Sequence, residues 1–127
     1  MDDRHTATLS LPPAVENVRT ARLVAVAAAR RAGLDEDAVD DVRLAVGELV
    51  ARAVLRHERA GLDDDVELRM VDAGDCFEIV VTDRAGEHGT LDSDGSGEDE
   101  VALALVRALA PEAGLTPATA VLRWPTA

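Results

Sequence analysis

Two residues that could carry chemistry, Glu48 and Arg52, stand four positions apart in a segment with helical periodicity. Residues at this spacing lie one turn apart on the same side of a helix, so their carboxylate and guanidinium groups can form an ion pair. On a solvated helix face such a pair contributes only about 0.3–0.5 kcal/mol. Without further context, the two residues indicate a surface salt bridge.

A second candidate region follows a strand-like run later in the chain. Asp83 ends that run, and residues 84–98 contain four glycines and almost no apolar side chains. This composition predicts a mobile surface loop. Such a loop is either a lid over a site or a plain connection.

The histidines and the cysteine do not form a zinc-binding pattern. His5 and His88 fall in segments predicted to be flexible, and a lone histidine at a helix end, such as His57, is typical of a surface position without a role. Cys76 is the only cysteine, which excludes an intrachain disulfide and predicts a buried thiol in a strand. We therefore expect no metal site built from these residues.

Periodicity, caps and breakers predict eight elements that would position these residues. They are a strand at 6–11, helices at 13–32 and 36–58, strands at 66–71 and 76–82, a helix opened by a capping box at 96–99 and continued over 101–110, and strands near 113–116 and 118–124. Grouped helices and strands joined in hairpins predict an α+β fold. We expect a two-layer sandwich, with a mixed sheet covered on one face by three helices, in a single domain of residues 1–127.

The overall composition narrows the classes of function. The net charge of −12 disfavours binding to a nucleic-acid backbone and favours a partner with a basic face. No apolar run approaches the ~20 residues that span a bilayer, and the N-terminus lacks a signal-peptide pattern. We therefore expect a cytoplasmic protein with no direct contact to nucleic acid or membrane.

Four stretches in fixed order resemble a known family: DDVRLAVGELVARAV, the strand ending in Val80-Val81-Thr82-Asp83, the glycine-rich loop and the helix VALALVRALA. Together they resemble the GHKL ATPase superfamily. More narrowly, they are similar to the RsbW-type anti-sigma factors that act as serine kinases, including the actinobacterial members. The resemblance covers roughly residues 8–124 and implies the Bergerat fold.

The resemblance assigns roles on the second helix. In the family this helix carries a glutamate, the general base, and four residues later an asparagine that coordinates Mg²⁺ on the ATP phosphates. Glu48 matches the first position and Arg52 replaces the second. Because arginine keeps its proton and offers only donors, Arg52 cannot ligate Mg²⁺. Arg56 stands where the family often has a histidine.

The resemblance also implies nucleotide contacts beyond that helix. Asp83 matches the aspartate that binds the adenine amino group, but the glycines expected after it are not in place, since Gly86 is displaced by one position. Where the family has a glycine-rich phosphate cradle, Gly97 is followed by three acidic residues. Carboxylates at a helix start would repel a triphosphate. Residues 84–98 are therefore predicted to be a degenerate ATP lid.

These implications favour a binding protein over an enzyme. The expected function is an anti-sigma factor that sequesters an alternative sigma factor, is released by a STAS-type anti-anti-sigma protein and forms a homodimer. Arg19 and Arg22 on the first helix are the expected partner-binding residues, or else ordinary solvated charges. Two alternatives stay open: a serine kinase that uses Glu48 as base with Mg-ATP, and a regulatory domain with another protein partner. If the nucleotide site works, the expected ligand is Mg-ATP or Mg-ADP.

Overall fold

The computed structural model describes residues 5–85, 98–116 and 118–126. Its elements in chain order are β1 (His5–Leu11), α1 (Asn17–Arg31), α2 (Glu36–Ala60), β2 (Val66–Asp72), β3 (Cys76–Thr82), α3 (Glu98–Leu109), β4 (Glu112–Leu115) and β5 (Thr119–Pro125). The order of helices and strands is the one predicted from the sequence. The α+β class is confirmed.

The five strands form one sheet in the order β1-β2-β3-β5-β4. All four neighbouring pairs are antiparallel, so the prediction of a mixed sheet was wrong in this detail. The chain path gives the reason. Two helices separate β1 from β2, and a helix and a strand separate β3 from β5. Each helix or strand reverses the direction of the chain. After two intervening elements the next strand therefore runs antiparallel to the strand before them.

Helix α1 begins at Asn17, four residues later than the predicted start. The preceding residues form a turn, in which the Ala14 amide donates to the Pro12 carbonyl over 2.8 Å. The Asn17 side-chain amide donates to the same carbonyl over 2.9 Å. Asparagine side chains bond to nearby backbone in this way, so Asn17, rather than the prolines, marks where the helix begins.

The core lies between the sheet and the helices, with α2 packed against both α1 and α3. β3 alternates between buried and half-buried residues, as expected for a strand with one face covered. α2 buries a stripe at helical spacing, which includes Val39, Val42, Val46, Val50, Ala53 and His57. The side of α2 that carries Glu48 therefore turns away from this stripe, as the sequence predicted.

Local signals set both ends of α2. Asp35 is the N-cap, and its Oδ1 accepts a hydrogen bond from the Ala38 amide over 2.8 Å. Gly61 ends the helix in the left-handed conformation, at φ 68°, which glycine adopts without a Cβ clash. The helix runs two residues past its predicted end at 58, so His57 lies three residues before its last residue.

The capping box predicted at 96–99 and the lid predicted at 84–98 lie largely outside the described residues. α3 begins at Glu98, and the β4–β5 hairpin follows it. Among the residues that the structure describes, no helix is long and apolar enough to cross a membrane.

Candidate functional site

The polar side of α2 borders a groove that is closed on its other side by α3. The groove encloses about 190 Å³. Its lining residues are Glu48, Ala51, Arg52, Leu55, Arg56, Arg59 and Ala102. The lining residues of α2 are spaced alternately three residues and one residue apart. This i, i+3, i+4 pattern places them on a single face of the helix. We call this feature the α2–α3 groove.

The structure brings the two residues predicted on this side of α2 into the same groove. Glu48 and Arg52 both line it, and both are half-buried. Three arginines and one glutamate give the lining a net positive charge in a chain whose net charge is −12. Each of these arginines makes further contacts within the chain. An anion that entered the α2–α3 groove would compete with those contacts.

Asp83, the residue matched to adenine recognition, lies directly after β3 and is buried. Its Oδ2 lies 3.5 Å from Arg56 Nε, and the two side chains are 4% and 10% exposed. A carboxylate and a guanidinium so far from water are weakly screened, and separating them is costly. The Asp83 carboxylate is thus engaged by a residue of α2 from inside the protein.

His57 is 0% exposed, so the prediction of a surface histidine was wrong. Its Nδ1 lies 2.9 Å from the Asp64 carbonyl oxygen, and its Nε2 accepts a hydrogen bond from the Arg84 amide over 3.0 Å. Because a carbonyl only accepts and an amide only donates, the ring is the neutral tautomer with its proton on Nδ1. The signal was present in the sequence, since His57 continues the buried stripe four residues after Ala53.

These contacts join consecutive residues of α2 to consecutive residues after β3. Arg56 pairs with Asp83, and His57 bonds to Arg84; we call this four-residue contact the α2–β3 junction. Ala85, the next residue, is also buried. The chain is therefore attached to the end of α2 as it leaves β3, at the position where the resemblance expects adenine to bind.

Other predicted groups do not add to this site. Gly86 and Gly97 lie outside the described residues. Within the described part of the chain, no three His, Cys, Asp or Glu side chains are grouped so that they could hold a metal ion. Cys76 is half-buried and is the first residue of β3, at the other end of the strand from Asp83. Burial, together with the nearby Asp75 carboxylate, raises the pKa of its thiol, which keeps it protonated and a poor nucleophile at neutral pH.

The two residues predicted to bind a partner, Arg19 and Arg22, are both exposed on α1. They are three residues apart and lie on the same side of the helix. Arg22 also reaches across to α2, because a Cβ built on Gly47 would lie 2.5 Å from the Arg22 Nε. Its guanidinium therefore lies against the α2 backbone at Gly47, the residue before Glu48. The sequence did not predict this contact between α1 and α2.

The whole arrangement can be compared with known proteins. A family model described as a histidine kinase-like ATPase domain matches residues 11–123. That range runs from the last residue of β1 into β5, and it contains the α2–α3 groove and the α2–β3 junction. Among curated proteins, none matches the sequence significantly. The match of the family model over most of the chain shows that this protein belongs to the histidine kinase-like ATPase domain family.

Proposed function

We propose that this chain is an anti-sigma factor of the cytoplasm that acts by binding, without efficient use of ATP. It would sequester an alternative sigma factor as a homodimer and release it when a STAS-type anti-anti-sigma protein competes. The observation that carries this proposal is the buried contact between Arg56 and Asp83. The carboxylate that would receive adenine is held by a guanidinium of the same chain.

The energetics of this contact disfavour adenine as a replacement for Arg56. If adenine took the place of Arg56 at the Asp83 carboxylate, it would separate this pair, whose side chains are only 4% and 10% exposed. A buried charge that loses its partner costs about 3–5 kcal/mol. A hydrogen bond from a neutral donor to a charged group returns only about 1.5–3 kcal/mol. Replacing Arg56 by adenine at the Asp83 carboxylate is therefore unfavourable over most of these two energy ranges.

The phosphate end of the expected nucleotide site does not fit Mg-ATP either. Arg52 occupies the position of the Mg²⁺ ligand and offers only donors. The α2–α3 groove, at about 190 Å³, is smaller than the ~300–1,000 Å³ of typical small-molecule sites. The residues that the structure describes therefore do not support a Mg-ATP site.

A binding role requires a surface, and α1 offers one. Arg22 stands beside Leu23, which is 60% exposed, and Leu44 on α2 is 54% exposed. Arginine combined with exposed aliphatic side chains is common where proteins meet. The negative charge of the rest of the chain would steer a partner that carries a basic face.

Calorimetric titration with Mg-ATP and with Mg-ADP tests the nucleotide part of the proposal. We expect no heat of binding at millimolar nucleotide. Micromolar affinity for either nucleotide would contradict the argument from Arg56 and Asp83.

Copurification with each alternative sigma factor of the host, produced singly, tests the partner. We expect one of them to comigrate with the chain in size-exclusion chromatography. Arg22→Glu should abolish the complex, while Arg31→Glu, an exposed charge reversal at the end of the same helix, should not. If every sigma factor fails to bind, the role of a regulatory domain with another partner is favoured. Light scattering that gives a monomer mass would contradict the homodimer.

A second candidate function is a serine kinase, because Glu48 lines the α2–α3 groove as a general base would. This role predicts transfer of the ATP γ-phosphate to a serine of the STAS-type partner. The test is the transfer of labelled phosphate from ATP to the STAS-type protein by the parent chain, with Glu48→Gln as the control. Incorporation that depends on Glu48 would replace the binding-only proposal.

A further inference from the structure

Gly47 lies inside α2, and Arg22 of α1 fills the space where a side chain would stand. A Cβ built on Gly47 would lie 2.5 Å from Arg22 Nε, 3.0 Å from its Nη2 and 3.1 Å from its Cζ. These distances are shorter than an ordinary contact of ~3.5–4.0 Å between non-bonded atoms. The guanidinium therefore rests on the α2 backbone, and it can do so because position 47 has no side chain.

The backbone conformation of Gly47 does not require glycine. The described glycines with positive φ are Gly33, Gly61 and Gly74, whereas Gly47 is in a regular helix. Glycine inside a helix is less favourable than alanine because it loses more backbone entropy on folding. The sequence thus carries a residue that weakens α2 at the point where Arg22 crosses it.

Two exposed leucines flank this contact. Leu23 follows Arg22 on α1, and Leu44 precedes Gly47 by three residues on α2; they are 60% and 54% exposed. α1 and α2 are packed neighbours joined by a short turn. With Arg22 opposite Gly47, the two leucines lie at similar heights along the helix pair. Each helix thus carries an exposed leucine near this contact in the sequence.

We propose that Gly47 is a positioning residue: by lacking a side chain, it fixes the Arg22 guanidinium on α2, where it receives a carboxylate of the protein partner. This inference rests on the proposed function, in which Arg22 contacts that partner. A fixed guanidinium loses less side-chain entropy on binding than a mobile one. A carboxylate matches its planar set of donors, and Leu23 and Leu44 supply apolar contact around the pair.

Nitrogen relaxation of the arginine Nε groups tests the positioning without a partner. Arg19, which is exposed one turn earlier on the same helix, is the matched control. The Arg22 order parameter should exceed that of Arg19 in the parent chain and fall to the Arg19 level in Gly47→Ala. Sodium acetate should shift the Arg22 Nε–H signal more than that of Arg19 in the parent, and equally in the variant. Equal order parameters in the parent would overturn the inference, whether or not the proposed function holds.

Binding and stability should respond to Gly47→Ala in opposite directions. Affinity for the copurifying sigma factor should fall about tenfold in Gly47→Ala and in Arg22→Ala, the loss of one charge-assisted hydrogen bond. The double variant should lose no more than either single variant, because both act through one guanidinium.

The urea midpoint of Gly47→Ala should rise, since alanine favours the helix and the exposed Arg22 side chain can swing aside. Unchanged affinity, or a midpoint that falls together with affinity, would overturn the inference. Failure of all sigma factors to bind would count against the proposed function alone, since the relaxation experiment still decides the role of Gly47.

Discussion

The two ends of α2 are held by ion pairs of the same chemistry in opposite surroundings. Near its N-terminus, Glu36 lies 2.9 Å from Arg30 of α1, and the side chains are 68% and 53% exposed. Near its C-terminus, Arg56 lies 3.5 Å from Asp83, and the side chains are 10% and 4% exposed. The closer pair is in water and the longer pair is not. Exposure therefore ranks these contacts better than distance, because water screens the first pair and hardly the second.

The two ends of α2 face different parts of the molecule. The exposed end of α2 meets the end of α1. The buried end forms the α2–β3 junction, where an ATPase of this family would bind adenine. A ligand that bound the Asp83 carboxylate in place of Arg56 would have to separate this buried pair.

Arg56→Ala should lower the free energy of unfolding by about 3 kcal/mol, because it leaves the buried Asp83 carboxylate without its guanidinium. Urea denaturation of both proteins measures the difference. The matched control is the double variant Arg56→Met and Asp83→Asn, which removes both charges and should cost less than Arg56→Ala. A loss below about 1 kcal/mol for Arg56→Ala would place this pair with the surface pairs.

His57→Ala should lower the free energy of unfolding by about 2 kcal/mol. The change removes a fully buried ring and leaves the Arg84 amide and the Asp64 carbonyl without their partner. His5→Ala, at an exposed position of β1, is the control and should leave stability unchanged. If both histidine variants unfolded at the parent midpoint, the α2–β3 junction would contribute little.

Asp35→Ala should cost about 1 kcal/mol, the usual loss when an N-cap side chain is removed. Thermal or urea unfolding resolves a change of this size. Asp35→Ser keeps an oxygen that can accept from the Ala38 amide, so it should stay close to the parent. Equal losses in the two variants would mean that the Asp35 charge, and not the cap bond, is what stabilises α2.

Arg30→Ala should leave the urea midpoint unchanged within error, because its pair with Glu36 is exposed. The hydrogen bond and charge of Glu36 raise the pKa of the Arg30 guanidinium. That group is protonated at every pH at which the protein is folded, so the shift adds no pH dependence. A clear loss of stability at low salt that vanishes at 1 M salt would show that the pair matters more than its exposure suggests.

The fold could be read from the sequence where the signal was local. The stripe through Val42, Val46 and Val50 predicted α2 and the orientation of Glu48. Caps and breakers gave the order of elements. The start of α1 was missed because the turn depends on a side-chain bond from Asn17 to Pro12. The direction of the strands was missed because it depends on which strands are neighbours in the sheet, and the order of elements along the chain does not give that.

The site was predicted only in part, because some of its contacts join residues that are far apart in the sequence. Glu48 and Arg52 are neighbours on one helix, so their spacing placed them on one side of α2. Arg56 and Asp83 come together through packing of α2 on the end of β3, which no spacing in the sequence reveals. The resemblance to a family marked Asp83 as a ligand residue, but only the structure shows which group holds it.

The hydrogen bond between the Arg84 amide and His57 joins residues 27 positions apart in the sequence. Backbone amides just beyond the end of a strand usually exchange with solvent quickly, because brief local opening exposes them. The Arg84 amide cannot open unless the end of α2 moves as well, although its own side chain is exposed. Its exchange rate should therefore follow the unfolding of α2 and β3 as a unit.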